Sequence, residues 1–355
     1  MIFDRRLFAQ TQTSRGFLAL AVILGWMGGV FTILQAGALS RVITAVFQEK
    51  QTLSALLPWM GGLLVIFIVR SLLQLGGEMT AHHVSTRVRL GLRRMLLEHI
   101  FALGPAYTQG EQTGEQAAAA LQGVDGLDAY FSQYLPQVAL AGLLPLTLLG
   151  LAFPIDWLSG LVLFLTAPLI PLFMVLIGQA SAAVTRKQFS ALGRMSAFLL
   201  DTIQGLTTLK LLNQSADQTG RIAQVSERYR LATMSVLRVA FLSALVLELV
   251  GTLSTAVIAV QIGLRLLDGG LAFEQAFFIL ILAPDFYLPL RLLGLRFHAA
   301  ETGHAAAQRI FEVLSVPLPI KMPTQAAVPE GPLSVEFEGV AFSYPDRPEA
   351  ALQEV

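Results

Sequence analysis

Six stretches of this chain are long enough and apolar enough to cross a bilayer, and that sets what it can fold into. A helix needs about 20 apolar residues to span the hydrocarbon core. Gly16 to Ser40, Gln51 to Val69, Ala129 to Ile155 and Trp157 to Thr185 carry no charge, with only Asp156 between the last two. A fifth run, Val239 to Leu264, contains Glu248. A sixth, from about Phe273 to Leu295, contains Asp285 and Arg291. Charged residues make up 14% of the 355, against about 25% in an average soluble domain. The expectation is an all-α membrane protein with spans near 16–40, 51–72, 132–155, 157–182, 239–265 and 273–296.

The first run is too long for the apolar core of a signal peptide, which is about 7–15 residues. Arg5-Arg6 and Ala36-Gly37-Ala38 are therefore read as parts of a span and its flank. The net charge is zero, with 24 basic and 24 acidic residues, so no basic excess points to nucleic acid. The absence of Cys excludes a disulfide scaffold, a Cys-ligated metal and a thiol nucleophile within these residues. No metal site and no catalytic residue is expected.

The charges are unevenly placed. With six spans both ends lie on one side. Only Arg41, Lys50 and Arg265 fall on the opposite side, and the other 21 Lys and Arg lie on the terminal side or its flanks. The positive-inside rule then puts 1–15 and the C-terminal tail in the cytoplasm of a bacterial inner membrane. Spans one and two, three and four, and five and six are joined by short loops. The intervening inner segments are long and helical in pattern, notably Gly76 to Leu103 and Arg186 to Leu237. Each is expected to be a helical hairpin reaching into the cytoplasm. Gly104-Pro105 and Gln109-Gly110 break the first near its tip, and Asn213-Gln214-Ser215 marks the second.

Beyond the sixth span a Pro-rich linker over 317–332 is followed by an alternating stretch, Leu333 to Tyr344, with the period of a half-buried strand. A soluble β-containing domain is expected to start at 333 and to be incomplete at Val355. Six spans, two inner hairpins and a trailing β-domain resemble a type I ABC exporter half-transporter. The local resemblances are Thr113-Gly114-Glu115 with Asp125 in the first inner hairpin, and Gln204 to Lys210 in the second. Ala307 to Glu312 resembles the exit from the sixth helix, and Val335 to Pro345 the first strands of the nucleotide-binding domain. Tyr134-Leu135-Pro136-Gln137, Ala167 to Phe173 and Leu282 to Arg291 resemble more narrowly the D subunit of CydDC-type exporters.

That resemblance implies export of cysteine or glutathione in support of cytochrome bd assembly, in a heterodimer with a C-type subunit. It implies ATP and Mg2+ in the full-length protein, with Tyr344 stacking on adenine. It implies that Thr113, Gly114, Glu115, Asp125, Gly205 and Lys210 couple the membrane helices to the ATP-binding domains. No phosphate-binding Gly-rich loop with its Lys occurs here, so these residues alone are not expected to hydrolyse ATP. Exporters of lipids, peptides or drugs share the pattern, and so could a haem-binding assembly factor that does not transport.

Charges inside spans are expensive, and they are commonly functional or paired. Glu248, Asp285, Arg291 and Arg296, with Tyr287, are the candidates for a translocation pathway, Arg291 as a carboxylate clamp. The alternative is an interhelical pair fixing the fifth and sixth spans. Pro284 and Pro289 are expected to break the sixth helix, and Pro168 and Pro171 to kink the fourth. His82 and His83, adjacent on a helix, point about 100° apart, so at most one could face a haem. Gly25 and Gly29 form a small-residue face for close helix packing.

Overall fold

The computed structural model describes residues 7, 14–104, 123–318, 334 and 338–341. Six helices among them are long and apolar enough to cross a membrane. α1 runs over Arg15–Phe47 and α2 over Leu53–Leu103. One π-helical turn, Tyr130–Tyr134, leads into α3, Leu135–Ile155. α4, Trp157–Thr166, and α5, Leu169–Gln204, together make the fourth crossing. The short α6 spans Leu206–Leu211, α7 Ser215–Leu267 and α8 Phe273–Leu314. At 1.5 Å per residue, the 51 residues of α2 extend about 75 Å, more than twice the hydrocarbon thickness. The helices therefore continue past the bilayer as a stalk, as their sequence pattern implies.

Why the crossings stop where they do is local. α2 ends at Gly104, whose φ of +79° suits a residue without Cβ. Asn213, at φ +57°, turns the chain between α6 and α7, where the second tip is expected. The fourth crossing breaks at Ala167-Pro168, as Pro168 implies. The sixth does not break. α8 passes unbroken through Pro284 and Pro289, contrary to the sequence expectation. Apolar packing holds the helix across them: Ala283, Phe286 and Tyr287 are buried around the two prolines, and Gln137 of α3 donates to the Pro289 carbonyl at 2.8 Å, tying α3 to α8 at this point.

Two apolar cores order the helices. At the stalk end, Val84, Val88, Leu92, Leu96 and Ile100 recur every four residues along α2. They meet Tyr130, Phe131 and Tyr134 and the α8 residues Phe297, Ala300, Ala307, Ile310 and Val313. Near the short loops, Ile33, Leu148, Leu163, Ile170, Leu247, Ile258, Ile279 and Phe286 form the second core. Gly25 and Gly29 let α1 close on α3. A Cβ on Gly25 would come within 2.8 Å of the Leu140 side chain, and one on Gly29 would collide with that of Leu144. By contrast, α5 and α7 run out as an arm, and among the described residues from 186 to 238 only Ala191 and Ala232 are buried.

Residues Met1–Val316 form one compact unit and Pro317–Val355 another. No strand occurs among the described residues, and most of 333–355 lies outside them.

The short-loop end is fastened by ions. Arg41 bridges Glu49 at 2.8 Å and Glu274 at 3.3 Å, joining α1 to the start of α8. Asp156 caps α4, accepting from the Ser159 backbone N–H at 3.2 Å, and also pairs with Arg265 of α7. Burial alone would raise the Asp156 carboxyl, but hydrogen bonds from Arg265 and Ser159 hold it below its ordinary value. Its contribution is therefore complete above the ordinary carboxylate range and lost as pH falls through the depressed value. Asp156→Ala is expected to lower stability by about 1–3 kcal/mol from the lost cap and the orphaned Arg265. Thermal unfolding in detergent should show that deficit unchanged from pH 8 to 5 and shrinking only below about pH 4. A deficit constant down to pH 2 would assign Asp156 no ionic role.

Candidate functional site: a polar cavity among four helices

A cavity of about 470 Å³ opens among α1, α2, α3 and α8. Its apolar wall comes from Ala21, Leu24, Ile33, Leu140, Leu144, Leu148, Leu282 and Leu292, and the glycines of α1 keep that wall thin. Its polar wall has a helical period. On α2, Arg70, Gln74, Glu78 and His82 are spaced by four and share one face. On α8, Asp285, Pro289, Leu292 and Arg296 share one face at spacings of four, three and four. The π turn brings Ser132 and Gln133 to the cavity while Tyr130, Phe131 and Tyr134 stay in the stalk core. π turns are frequent at functional sites because the wider turn re-aims side chains.

The charged groups fall at two levels. Toward the short loops lie Asp285 of α8 and Arg70 of α2, and toward the stalk Arg296 of α8 and Glu78 of α2. Three of the four are held by neutral amides. Arg70 donates to Gln35 Oε1 at 3.0 Å, Arg296 to Gln137 Oε1 at 2.7 Å, and Glu78 accepts from Gln74 at 3.1 Å. Asp285 has no direct hydrogen bond or ion pair among the described residues.

Of the residues singled out in the sequence, Asp285 and Arg296 line the cavity together. Glu248 and Arg291 instead pair with each other across α7 and α8, the interhelical arrangement weighed beside the carboxylate clamp. Arg291 also packs its stem near Gly251, where a Cβ would lie 3.3 Å from Arg291 Cδ. Tyr287 is buried, with its hydroxyl 2.6 Å from Thr166 Oγ1 at the α4–α5 break. His82 lines the cavity and stands 4.0 Å from Asp128, so the cavity is offered one imidazole of the pair. His83 turns away and packs its ring 4.9 Å from that of Phe17.

The stalk carries its own ionic ladder. Asp125 bonds Arg93 at 2.9 Å and Arg89 at 3.4 Å. Asp128 accepts from Ser85 at 2.7 Å and pairs with Arg89 at 3.1 Å. This ladder ties α2 to the segment before α3, directly below His82. Gly205 ends α5, and Lys210 stands exposed on α6 at the arm tip. Thr113, Gly114, Glu115 and Tyr344 lie outside the described residues.

Sequence reading missed Arg70, Gln74, Glu78, Gln133 and Gln137. Arg70 reads as the flank of a span, although the four-residue spacing of Arg70, Gln74, Glu78 and His82 is a visible signal. Gln137 is the buried hinge of the site, bridging Arg296 and the Pro289 carbonyl. Gln137→Leu keeps the volume and removes both bonds, so it is expected to lower stability by about 1–3 kcal/mol through the orphaned groups. A thermal-unfolding midpoint in detergent equal to that of the unmodified protein would show that water replaces the amide.

Comparison with known proteins adds the following. The family pattern described as ABC transporter transmembrane region matches residues 18–286. The glutathione/L-cysteine transport system ATP-binding/permease protein CydD of Escherichia coli is 34% identical over 96% of this chain and 60% of that protein. The transport ATP-binding protein AarD of Providencia stuartii is 36% identical, over 87% of the chain and 54% of that protein. The glutathione/L-cysteine transport protein CydC of Bacillus subtilis is 35% identical, over 80% and 50%. The chain thus spans 50–60% of the length of these relatives.

Proposed function

Since this chain belongs to the family of ABC transporter transmembrane regions, we propose that it is the membrane-spanning part of an ATP-driven exporter of cysteine- or glutathione-type thiols. It resides in the bacterial inner membrane, pairs with a second half-transporter of the C type, and supports cytochrome bd assembly. ATP and Mg2+ act in the full-length protein, whose relatives are named as ATP-binding permeases. The observation that carries the reading is the cavity. Four charges line a space of about 470 Å³ bounded by four helices that cross the membrane, a polar interior that hydrocarbon alone would exclude.

Several features support coupling through the stalk. α2 and α8 pass without a break from the cavity wall into the stalk core. The arm tip exposes Ile203, Leu206, Leu211 and Leu212 around Lys210, an apolar surface that a soluble partner would cover. ATP-driven closure of the nucleotide-binding domains would pull on the two tips, at 113–125 and 205–217, and the continuous helices would carry that motion to the cavity. The cavity would then face each side of the membrane in turn.

The test is made on the full-length subunit with its partner in proteoliposomes. Cysteine or glutathione is expected to stimulate ATP hydrolysis and to accumulate in inverted vesicles. Reversing charge at the exposed arm tip with Lys210→Glu should leave ATP hydrolysis measurable while reducing thiol uptake at least about tenfold, the signature of lost coupling. Full uptake in the reversed variant would remove the arm tip from the pathway. Hydrolysis and uptake that are both indifferent to thiols would overturn the substrate assignment.

A further inference from the structure

Charge pairing separates two populations of ions in this protein. Asp156 pairs with Arg265, Glu248 with Arg291, and Arg41 with Glu49 and Glu274. These contacts fasten one helix to another. The cavity charges Arg70, Glu78, Asp285 and Arg296 are in no ion pair among the described residues, although two are cations and two are anions. Neutral amides hold three of them in place without neutralising them. A charge lining a cavity between membrane-crossing helices, held by amides and in no direct ion pair, is a costly arrangement unless water or a ligand completes it.

The signs are also crossed. On α2 the cation, Arg70, lies nearer the short loops and the anion, Glu78, nearer the stalk. On α8 the anion, Asp285, lies nearer the short loops and the cation, Arg296, nearer the stalk. Each level thus presents one positive and one negative group from opposite walls. The lining offers nothing that selects sulfur: it contains neither Cys nor Met and no cluster able to hold a metal ion among the described residues.

We infer that the cavity recognises the zwitterionic amino-acid group of its ligand, ammonium and carboxylate together, and not the thiol. The inference rests on the proposed export of cysteine- and glutathione-type molecules. At the level near the short loops, Asp285 takes the ammonium and Arg70 the carboxylate. Eleven residues of α8 separate Asp285 from Arg296, about 16 Å along the axis. An extended tripeptide is about 10 Å long, and the long Arg296 side chain, reaching back toward the first level, meets its far carboxylate. A single amino acid uses the first level only.

The experiment measures ATP hydrolysis by the full-length transporter with its partner subunit, in proteoliposomes, against four small probes. Cysteine carries thiol, ammonium and carboxylate. S-methylcysteine blocks the thiol, 3-mercaptopropionate lacks the ammonium and cysteamine lacks the carboxylate. S-methylcysteine is expected to act at a concentration within about threefold of cysteine, and the two truncated thiols to need about 10- to 100-fold more, the worth of a lost charge-assisted hydrogen bond. Arg70→Gln should weaken cysteine about tenfold and leave cysteamine unchanged, a difference that a merely structural role would not produce. Arg296→Gln should weaken glutathione and leave cysteine unchanged. If the truncated thiols match cysteine, recognition is by sulfur and the inference is overturned while thiol export stands. If cysteine and glutathione themselves have no effect, the inference and the proposed substrate class fall together.

Discussion

The cost of placing a charge in hydrocarbon organises this molecule from end to end. Where charge must enter the membrane region, two arrangements occur. At the short-loop end and between α7 and α8, opposite charges meet directly and hold helices together: Asp156 with Arg265, Arg41 with Glu274, Glu248 with Arg291. Removing one member of such a pair strands the other, so these contacts resist change even where their net stabilisation is small. In the cavity the charges sum to zero but do not meet. The first arrangement builds the frame, and the second leaves a space whose polarity only a charged ligand or water can complete.

Packing makes that space available. Gly25 and Gly29 on α1 make room for the Leu140 and Leu144 side chains of α3, so the two helices close on one side of the cavity. The π turn adds Ser132 and Gln133 to the lining and sends the neighbouring aromatics to the stalk core. Below it, Asp125 and Asp128 bind Arg89, Arg93 and Ser85, which ties the cavity floor to the stalk through short, directed contacts. Movement of α2 relative to α3 is therefore opposed by ions as well as by apolar contact.

Much of this was legible in the sequence because the membrane enforces a one-dimensional rule. Run length and charge placement locate the crossings, Gly104 and Asn213 locate turns, and Pro168 locates a break. Pro284 and Pro289 mislead, because a helix tolerates proline when its neighbours hold it, and neighbours are a tertiary property. The pairing of Glu248 with Arg291, 43 residues apart, was one of two readings, and only the register of α7 against α8 decides between them. Arg70 and Glu78 were not recognised because their meaning lies in facing Asp285 and Arg296 across a space, which no single helix displays. Of His82 and His83, sequence could say only that they diverge. The structure shows His82 on the cavity and His83 against Phe17.

The central claim is that water reaches this cavity and that a zwitterion occupies it. The absence of Cys from this chain allows a direct measurement. Leu292→Cys places a lone thiol of this region on the lining without removing a charge. In the full-length transporter with its partner, a membrane-impermeant maleimide should label that thiol, and S-methylcysteine at saturation should slow labelling at least about tenfold. Labelling that proceeds at the same rate with and without S-methylcysteine, or none at all, would contradict the account.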